Sequence, residues 1–187
     1  MCRYESGDSD TIFLSVYFMR TNEYHDLIDK ERYQVFIFHC PVTFPLNFAS
    51  HPWFVCNEKG NITRWEVLDR LNGNREWAYL HKDYFPTFSG IEIIPFTRTE
   101  PLWKGTLLKQ VDGELAKRMI DVITSSHEHY PIKEYSLIGT NSNTYAQWVL
   151  DHFEELDFKL PWNSFGKNAA KSPVREFVLR LRDGLKG

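Results

Sequence analysis

Cysteine is scarce in this chain of 187 residues, which has only Cys2, Cys40 and Cys56. An odd number of thiols without Cys-x-x-Cys spacing argues against a disulfide framework and against a structural zinc site. Free thiols fit a reducing compartment, so we expect a cytoplasmic protein.

Positive charge and long apolar runs are also lacking. The net charge is −3 and the Lys and Arg residues are dispersed, which argues against a nucleic-acid partner because such partners need a basic patch. Thr11 to Met19 is apolar but too short to span a bilayer, and its β-branched and aromatic content predicts a strand, so we expect no membrane-spanning segment. Residues 1–10 are polar and acidic, without the features of a secretory signal, and predict a flexible N-terminal segment.

Apolar residues are plentiful, at 42% hydrophobic and 16% aromatic, which is enough for a single domain over residues 1–187. Strand patterns cluster between Tyr33 and Phe96, including Tyr33 to Cys40 and Gly90 to Phe96, and the best helix patterns follow Asp112. The sequence therefore predicts an α+β fold, with an antiparallel sheet and helices packed on it.

Two β-prone segments, His51 to Cys56 and Ile62 to Val67, flank a short turn containing Asn and Gly and predict a hairpin. Strand alternation places His51, Trp53 and Val55 on one face, where the aromatic ring could shield the imidazole from water. A core histidine satisfied by hydrogen bonds is the alternative interpretation.

A helix is predicted from Asp112 onward, because apolar residues recur there at helical spacing, namely Leu115, Met119, Val122 and Ile123. After it, the run His127-Glu128-His129 offers only two metal ligands, with no third ligand identifiable nearby. We therefore expect neither a metal nor a cofactor.

A strand-to-helix junction is predicted around Gly139 to Tyr145. Tyr135 to Ile138 has the character of a strand end, and apolar residues at helical spacing follow the junction. Four consecutive residues can cap a helix, namely Asn141, Ser142, Asn143 and Thr144. Ser142 is thus expected at a helix N-terminus, where backbone N–H groups would stabilise a developing anion if this serine were a nucleophile. An ordinary capping serine is the alternative.

The block Asn141-Ser142-Asn143-Thr144-Tyr145 resembles the Asn-Cys-x-x-aromatic block of circularly permuted papain-like proteins, the NlpC-type clan that includes the lecithin retinol acyltransferase-like enzymes. His51-Pro52-Trp53 resembles the histidine strand, which precedes the nucleophile in the permuted order. With Tyr130-Pro131, Leu160-Pro161 and Gly166-Lys167, the chain looks like a bacterial family of unknown function in that clan. The resemblance implies a single-domain permuted papain-like fold, but Ser142 stands where the enzymes have cysteine.

The resemblance also implies a hydrolase or acyltransferase acting on an amide, ester or thioester, with Ser142 as nucleophile and His51 as base. Other residues would line the site or help to hold the oxyanion, namely Asn141, Asn143, Thr144, Trp53 and Tyr145. Glu66, on the second hairpin strand, is our choice for orienting the imidazole, since adjacent strands lie about 5 Å apart. Asn143 or a backbone carbonyl is the rival.

A non-catalytic binding module, or pseudoenzyme, that retains the cleft is the alternative function, because a serine hydroxyl is far less acidic than a thiol. Aromatic residues near the motifs would suit an acyl chain, peptide or glycan as ligand, and core packing would explain them equally well, namely Trp53, Tyr145, Trp148 and Trp162.

Overall fold

The computed structural model describes residues 24–95 and 101–171. Its strands are β1 (Tyr33–Pro41), β2 (Ser50–Glu58), β3 (Asn61–Val67), β4 (Leu80–Lys82), β5 (Ser89–Glu92), β6 (Leu102–Lys104) and β7 (Thr106–Asp112). Its α-helices are α1 (Gly113–Thr124), α2 (Ser126–His129) and α3 (Ser142–Leu150). Short 3₁₀ helices cover His25–Leu27, Arg75–Trp77, Glu154–Leu156 and Ala169–Lys171.

Five strands form an antiparallel sheet in the order β4-β3-β2-β1-β7, and β5 and β6 form a separate two-stranded sheet. The α+β class and the antiparallel sheet are therefore confirmed. The predicted hairpin is β2–β3, and its strands run further into the turn than the sequence indicated. Only Lys59 and Gly60 remain in that turn, and both have positive φ, as a tight two-residue hairpin turn requires.

The five-stranded sheet separates two apolar clusters, because alternate residues of its central strands point to opposite faces. On one face, Phe54 and Cys56 of β2 join the helices in the larger cluster. On the other face, Trp53 and Val55 pack in a smaller cluster with residues of β5 and β6. The predicted alternation of the His51 strand is confirmed, and His51 stacks beside Trp53 with 6.2 Å between the ring centroids.

Helix α1 presents the predicted apolar stripe to the sheet. Met119 and Ile123 are fully buried, whereas Leu115 and Val122 lie at the edge of the same cluster. Ala116 and Ile120 complete the buried face, since they lie one turn from the predicted residues on the same side of the helix. The helix thus covers the face of the sheet that also receives α3.

Tyr135 to Ile138 was wrongly predicted as a strand end. The segment is irregular, and its local hydrogen bonds close a turn instead, because Ser136 donates its amide N–H to the Thr140 carbonyl and accepts from the amide of Gly139. Leu137 and Ile138 are exposed, so their apolar character does not reflect a place in the sheet. The turn delivers the chain directly to the start of α3.

Two further differences concern the middle of the chain. The predicted strand from Gly90 to Phe96 is the shorter β5, and Phe96 itself lies outside the described residues. The residues before α1 form β6 and β7, and β7 adds to the sheet beside β1 with a bulge between Ile37 and Phe38. The apolar–polar alternation in Thr106–Asp112 is weak, which explains why the strand was missed.

The predicted strand over Thr11 to Met19 and the N-terminal segment over residues 1–10 lie outside the described residues. Within residues 24–95 and 101–171, none of the helices combines the length and apolar character needed to cross a membrane.

Candidate functional site

A cavity of about 330 Å³ lies where β1 and β3 end and β2 begins. His51 enters it from the start of β2, and Ser142 enters it from the start of α3. The residues proposed as base and nucleophile therefore line one cavity, although 90 residues separate them in the chain.

Glu66 contacts the imidazole of His51. Its Oε2 lies 2.8 Å from Nε2 of His51, and both side chains are almost completely buried. The β2–β3 register pairs Val55 with Arg64, so Arg64 and Glu66 share the face that carries His51 and Trp53. The carboxylate therefore reaches the imidazole because alternate residues of both strands point to the same face of the sheet.

Arg64 is the second partner of Glu66 and lies fully buried. Its Nη2 donates to Glu66 Oε2 at 2.8 Å, and its Nε lies 2.7 Å from Oε1 as an ion pair without the alignment of a hydrogen bond. Burial raises the pKa of Glu66, but the charge of Arg64 and the hydrogen bond to His51 oppose it more strongly and lower that pKa to about 2. Glu66 is therefore ionised at neutral pH.

The ionised carboxylate determines the tautomer of His51. A carboxylate can only accept a hydrogen bond, so the Nε2 atom that contacts it carries the proton. Nδ1 of a neutral imidazole then bears the lone pair and can act as the base. Trp53 stacks beside this ring, and the Arg64 guanidinium lies over the same indole at 4.4 Å from the ring centroid.

Ser142 occupies the first position of α3, as the capping pattern predicted. Asn141 is the N-cap, and its side chain accepts from the backbone of Asn143 and Thr144. The Thr144 hydroxyl accepts in return from the Asn141 amide at 3.1 Å and completes a capping box. These bonds fix the direction in which Ser142 enters the cavity.

Few backbone donors remain at this helix start. The amides of Asn143 and Thr144 are used by the capping side chain, and the amide of Tyr145 donates to the Asn141 carbonyl. Among the described residues, no partner is recorded for the amide of Ser142. The oxyanion donors that the sequence suggested are thus reduced to this one N–H group of the helix.

Asn143 was the rival candidate for orienting the imidazole of His51, but its side-chain amide contacts backbone carbonyls instead. Its side-chain Nδ2 donates to the carbonyls of Ser50 and Phe165, both at 2.9 Å. The imidazole contact is made by Glu66, so the geometry favours Glu66 over Asn143 as the group that orients His51. Asn141 also lines the cavity, with its Nδ2 donating to the carbonyls of Leu137 and Phe165.

Trp53, Thr144 and Tyr145 lie behind the cavity and do not line it. The Tyr145 ring is buried in the larger apolar cluster, where its hydroxyl hydrogen-bonds the Ser126 hydroxyl at 3.0 Å. Tyr145 points toward the sheet, where its ring meets the Phe54 ring edge-on with 6.0 Å between the centroids. Core packing therefore accounts for Trp53 and Tyr145.

The loop after α3 packs against the helix start. Thr144 donates its hydroxyl to the Gly166 carbonyl at 2.7 Å. A side chain at Gly166, where φ is +87°, would meet the Gly139 carbonyl oxygen and the Asn141 side chain. This close approach of the loop to the residues that begin α3 requires glycine at position 166.

The described cysteines are not placed for catalysis. Burial raises the pKa of Cys40 to about 12 and raises that of Cys56 further, so both remain protonated thiols at neutral pH. Neither lines the cavity. The described part of the chain also contains no group of three His, Cys, Asp or Glu residues that could hold a metal ion, and His127 instead hydrogen-bonds the Thr124 carbonyl.

Sequence reasoning missed two polar pairs at the cavity. Arg70 donates to the buried Glu92 at 3.0 Å, and Ser50 hydrogen-bonds Nδ1 of His39 at 2.9 Å. The β1–β2 register would have indicated the second pair, since it aligns Pro41 with Ser50 and His39 with Pro52. No pattern signals the first pair, because the residues lie 22 positions apart on segments that are not hydrogen-bonded neighbours.

The fold and the site define an α+β protein with a buried His–Glu pair and a helix-start serine at one cavity. The chain belongs to the family described as "Protein of unknown function (DUF3750)", whose match covers residues 32–169. This span contains His51, Glu66 and Ser142 and all the described strands and helices from β1 to α3. Neither a curated protein nor a solved structure matches the chain.

Proposed function

We propose that this protein has a circularly permuted papain-like fold and is a hydrolase or acyltransferase acting on an amide, ester or thioester. Ser142 is the nucleophile, His51 the base and Glu66 the group that orients the base. The observation that carries the proposal is the buried contact between Glu66 and Nε2 of His51, because it leaves Nδ1 as the basic atom in the cavity that Ser142 also lines.

Acylation begins when the Ser142 hydroxyl oxygen attacks the carbonyl carbon of the substrate and its proton passes to Nδ1 of His51. The resulting imidazolium is stabilised by ionised Glu66. The Ser142 amide, together with the positive end of α3, stabilises the oxyanion of the tetrahedral intermediate. When the intermediate collapses, the leaving group takes the proton from His51 and an acyl-serine remains.

Deacylation repeats these steps with a second nucleophile. In hydrolysis, water gives a proton to Nδ1 of His51 and attacks the acyl carbon, which releases the acid and restores Ser142. In acyl transfer, an alcohol or amine takes the place of water. Both outcomes need the same three residues of this chain, so the proposal includes both.

A fluorophosphonate or β-lactone probe tests the proposal, because each forms a stable covalent bond with an activated serine. We expect labelling of the unmodified protein at Ser142, located by peptide mass spectrometry, and its loss in Ser142→Ala and in His51→Ala. Ser125→Ala is the control, since the hydroxyl of Ser125 bonds helix carbonyls outside the cavity. Labelling at Ser50, which hydrogen-bonds His39, would show that Ser50 and not Ser142 is the nucleophile, and it would reject the mechanism.

A non-catalytic binding module is the second candidate, and two observations favour it. No hydrogen bond between the Ser142 hydroxyl and His51 is recorded in the described part of the chain, and the capping network uses most of the amides at the helix start. A protein that binds a ligand in the cavity but is not labelled at any serine would establish this function instead.

A further inference from the structure

The cavity has an apolar wall that continues outward onto an exposed apolar rim. The rim consists of four residues that line the cavity and are also exposed, namely Phe48, Leu137, Ile138 and Phe165. Ile138 is 92% exposed and Phe48 is 62% exposed. Large apolar side chains gathered at the mouth of one cavity mark a binding site, whereas single exposed apolar residues need no explanation.

The interior behind the rim is also mainly apolar, with Val42, Leu46, Ala49, Leu68, Phe85 and Ile91 in its wall. Most of these side chains follow the ends of β1 and β3, while Phe85 follows β4 and Ile91 lies in β5, so they belong to the body of the fold. A cavity of this kind offers hydrophobic contact along its length and hydrogen bonds at the end that holds Ser142 and His51.

The charged residues of the described cavity wall are one arginine and two carboxylates. Among the described lining residues, Arg70 is the only lysine or arginine, and it lies between two carboxylates. Its Nε lies 3.2 Å from Oδ1 of Asp69, and its Nη2 lies 3.0 Å from Oε2 of Glu92. Because the guanidinium is already paired twice, the described wall of the cavity has no unpaired cation for a carboxylate or phosphate.

The side-chain amide donors of the described cavity wall, which could bind a peptide or a glycan, are already engaged, while Oδ1 of Asn143 is a buried acceptor without a hydrogen-bond partner. Both N–H groups of Nδ2 in Asn143 and in Asn141 are donated to backbone carbonyls. The Ser50 hydroxyl is bonded to His39. Peptides and sugars need many such partners because their own polar groups must be satisfied when they are buried.

We infer that the part of the substrate held in this cavity is an uncharged hydrocarbon acyl chain, with its carbonyl at Ser142. The inference rests on the proposed function for the position of the carbonyl, and on the cavity itself for the chain. It selects the acyl chain over the peptide and the glycan that the sequence left open.

Calorimetric titration of 1-alkanols with four, six, eight and ten carbons into full-length Ser142→Ala tests the chain without any catalysis. Each buried methylene should improve the affinity about fourfold until the cavity is filled, since about 0.8 kcal/mol is gained per methylene. The alkanoate of the same length should bind more weakly, because no unpaired cation meets its carboxylate.

Two variants locate the binding. Ala49→Phe fills the interior without adding polarity and should remove the gain from the longer chains. Phe48→Ser combined with Ile138→Ser should weaken the ten-carbon alcohol at least tenfold, while Leu71→Ser should have no effect, because Leu71 is 68% exposed but does not line the cavity. The rim variant alters exposed residues only, so it remains informative if Ala49→Phe fails to fold.

Affinity independent of chain length, tighter binding of the alkanoate, or an equal loss in Leu71→Ser would overturn the inference. Chain-dependent binding without probe labelling of Ser142 would retain the acyl ligand and reject catalysis. Labelling of Ser142 without chain-dependent binding would reject the acyl chain and retain catalysis. The two proposals can therefore fail separately.

Discussion

The side-chain amide of Asn143 donates a hydrogen bond of 2.9 Å to the backbone carbonyl of Ser50. Asn143 directly follows Ser142, and Ser50 directly precedes His51. One buried contact therefore joins the start of α3 to the start of β2 and fixes the distance between the two residues proposed to react. The same amide reaches the Phe165 carbonyl, so the loop after α3 is held at this point as well.

Asn143→Leu should reduce the rate of probe labelling at Ser142 by about 100-fold, because misplacement of a reacting group by about 1 Å has an effect of that size. The buried Ser50 carbonyl would also lose this donor, at a cost of about 1 to 3 kcal/mol, whereas the Phe165 carbonyl keeps its bond from Asn141. Rates of labelling and urea denaturation would be measured on the same samples. Asn163→Ala is the matched control, since its amide donates to the Phe48 carbonyl from an exposed position. Similar labelling rates in both variants would contradict the positioning role.

Ser142→Cys should give a thiol that reacts with iodoacetamide below pH 7, because ionised Glu66 supports His51 and the helix N-terminus stabilises a thiolate. Cys40 and Cys56 serve as internal controls that stay unmodified, since burial raises the pKa of both thiols. The measurement is the alkylation rate against pH in a Cys2→Ser background, with the modified residue assigned by mass spectrometry. Adding His51→Ala should remove the enhancement. Reaction only near the ordinary thiol pKa would favour the binding module.

Gly166→Ala should destabilise the protein by more than 1 kcal/mol, because position 166 has positive φ and its added methyl group would meet the Gly139 carbonyl and Asn141. Urea denaturation would measure the change. Gly73→Ala is the matched control, since no atom lies within 4 Å of the added methyl group there. Probe labelling of Gly166→Ala should also fall, because the displaced loop contacts the cap that positions Ser142. Equal stability of the two variants would rule out the close approach.

Acid should destabilise the fold through Glu66. The pKa of this carboxyl is about 2 in the folded protein, against an ordinary 4.5. The lowered pKa stabilises the fold fully above about pH 4.5, and this contribution is lost as the pH falls toward 2. Urea denaturation between pH 6 and pH 3 should therefore show stability falling with pH.

Glu66→Gln should flatten this acid dependence and cost about 3 to 5 kcal/mol at pH 7, because it leaves Arg64 buried without a counter-charge. Glu155→Gln is the control, since its ion pair with Arg118 is exposed and the substitution should change stability little. An unchanged acid dependence in Glu66→Gln would show that other carboxyl groups are responsible.

Local patterns predicted much of the fold. The Tyr33 strand, the β2–β3 hairpin and helix α1 each have a clear periodicity, and the structure confirms all three. Ser142 at a helix start was equally predictable, because Asn141 and Thr144 form a capping box from residues three positions apart. The Tyr135 to Ile138 strand was wrong because an apolar run does not reveal whether a neighbouring strand exists to pair with it.

The sequence by itself determined the hairpin that carries His51 and Glu66 and the cap that carries Ser142, because these depend on residues close together in the chain. Only the tertiary structure decided that they meet at one cavity, since that depends on the contact between Asn143 and Ser50 across 93 positions. It also decided that Arg64 lowers the pKa of Glu66, because burial gives the charge pair its strength. The exposed rim was likewise invisible in the sequence, because only tertiary packing decides that Phe48, Ile138 and Phe165 lie exposed at the mouth of the cavity.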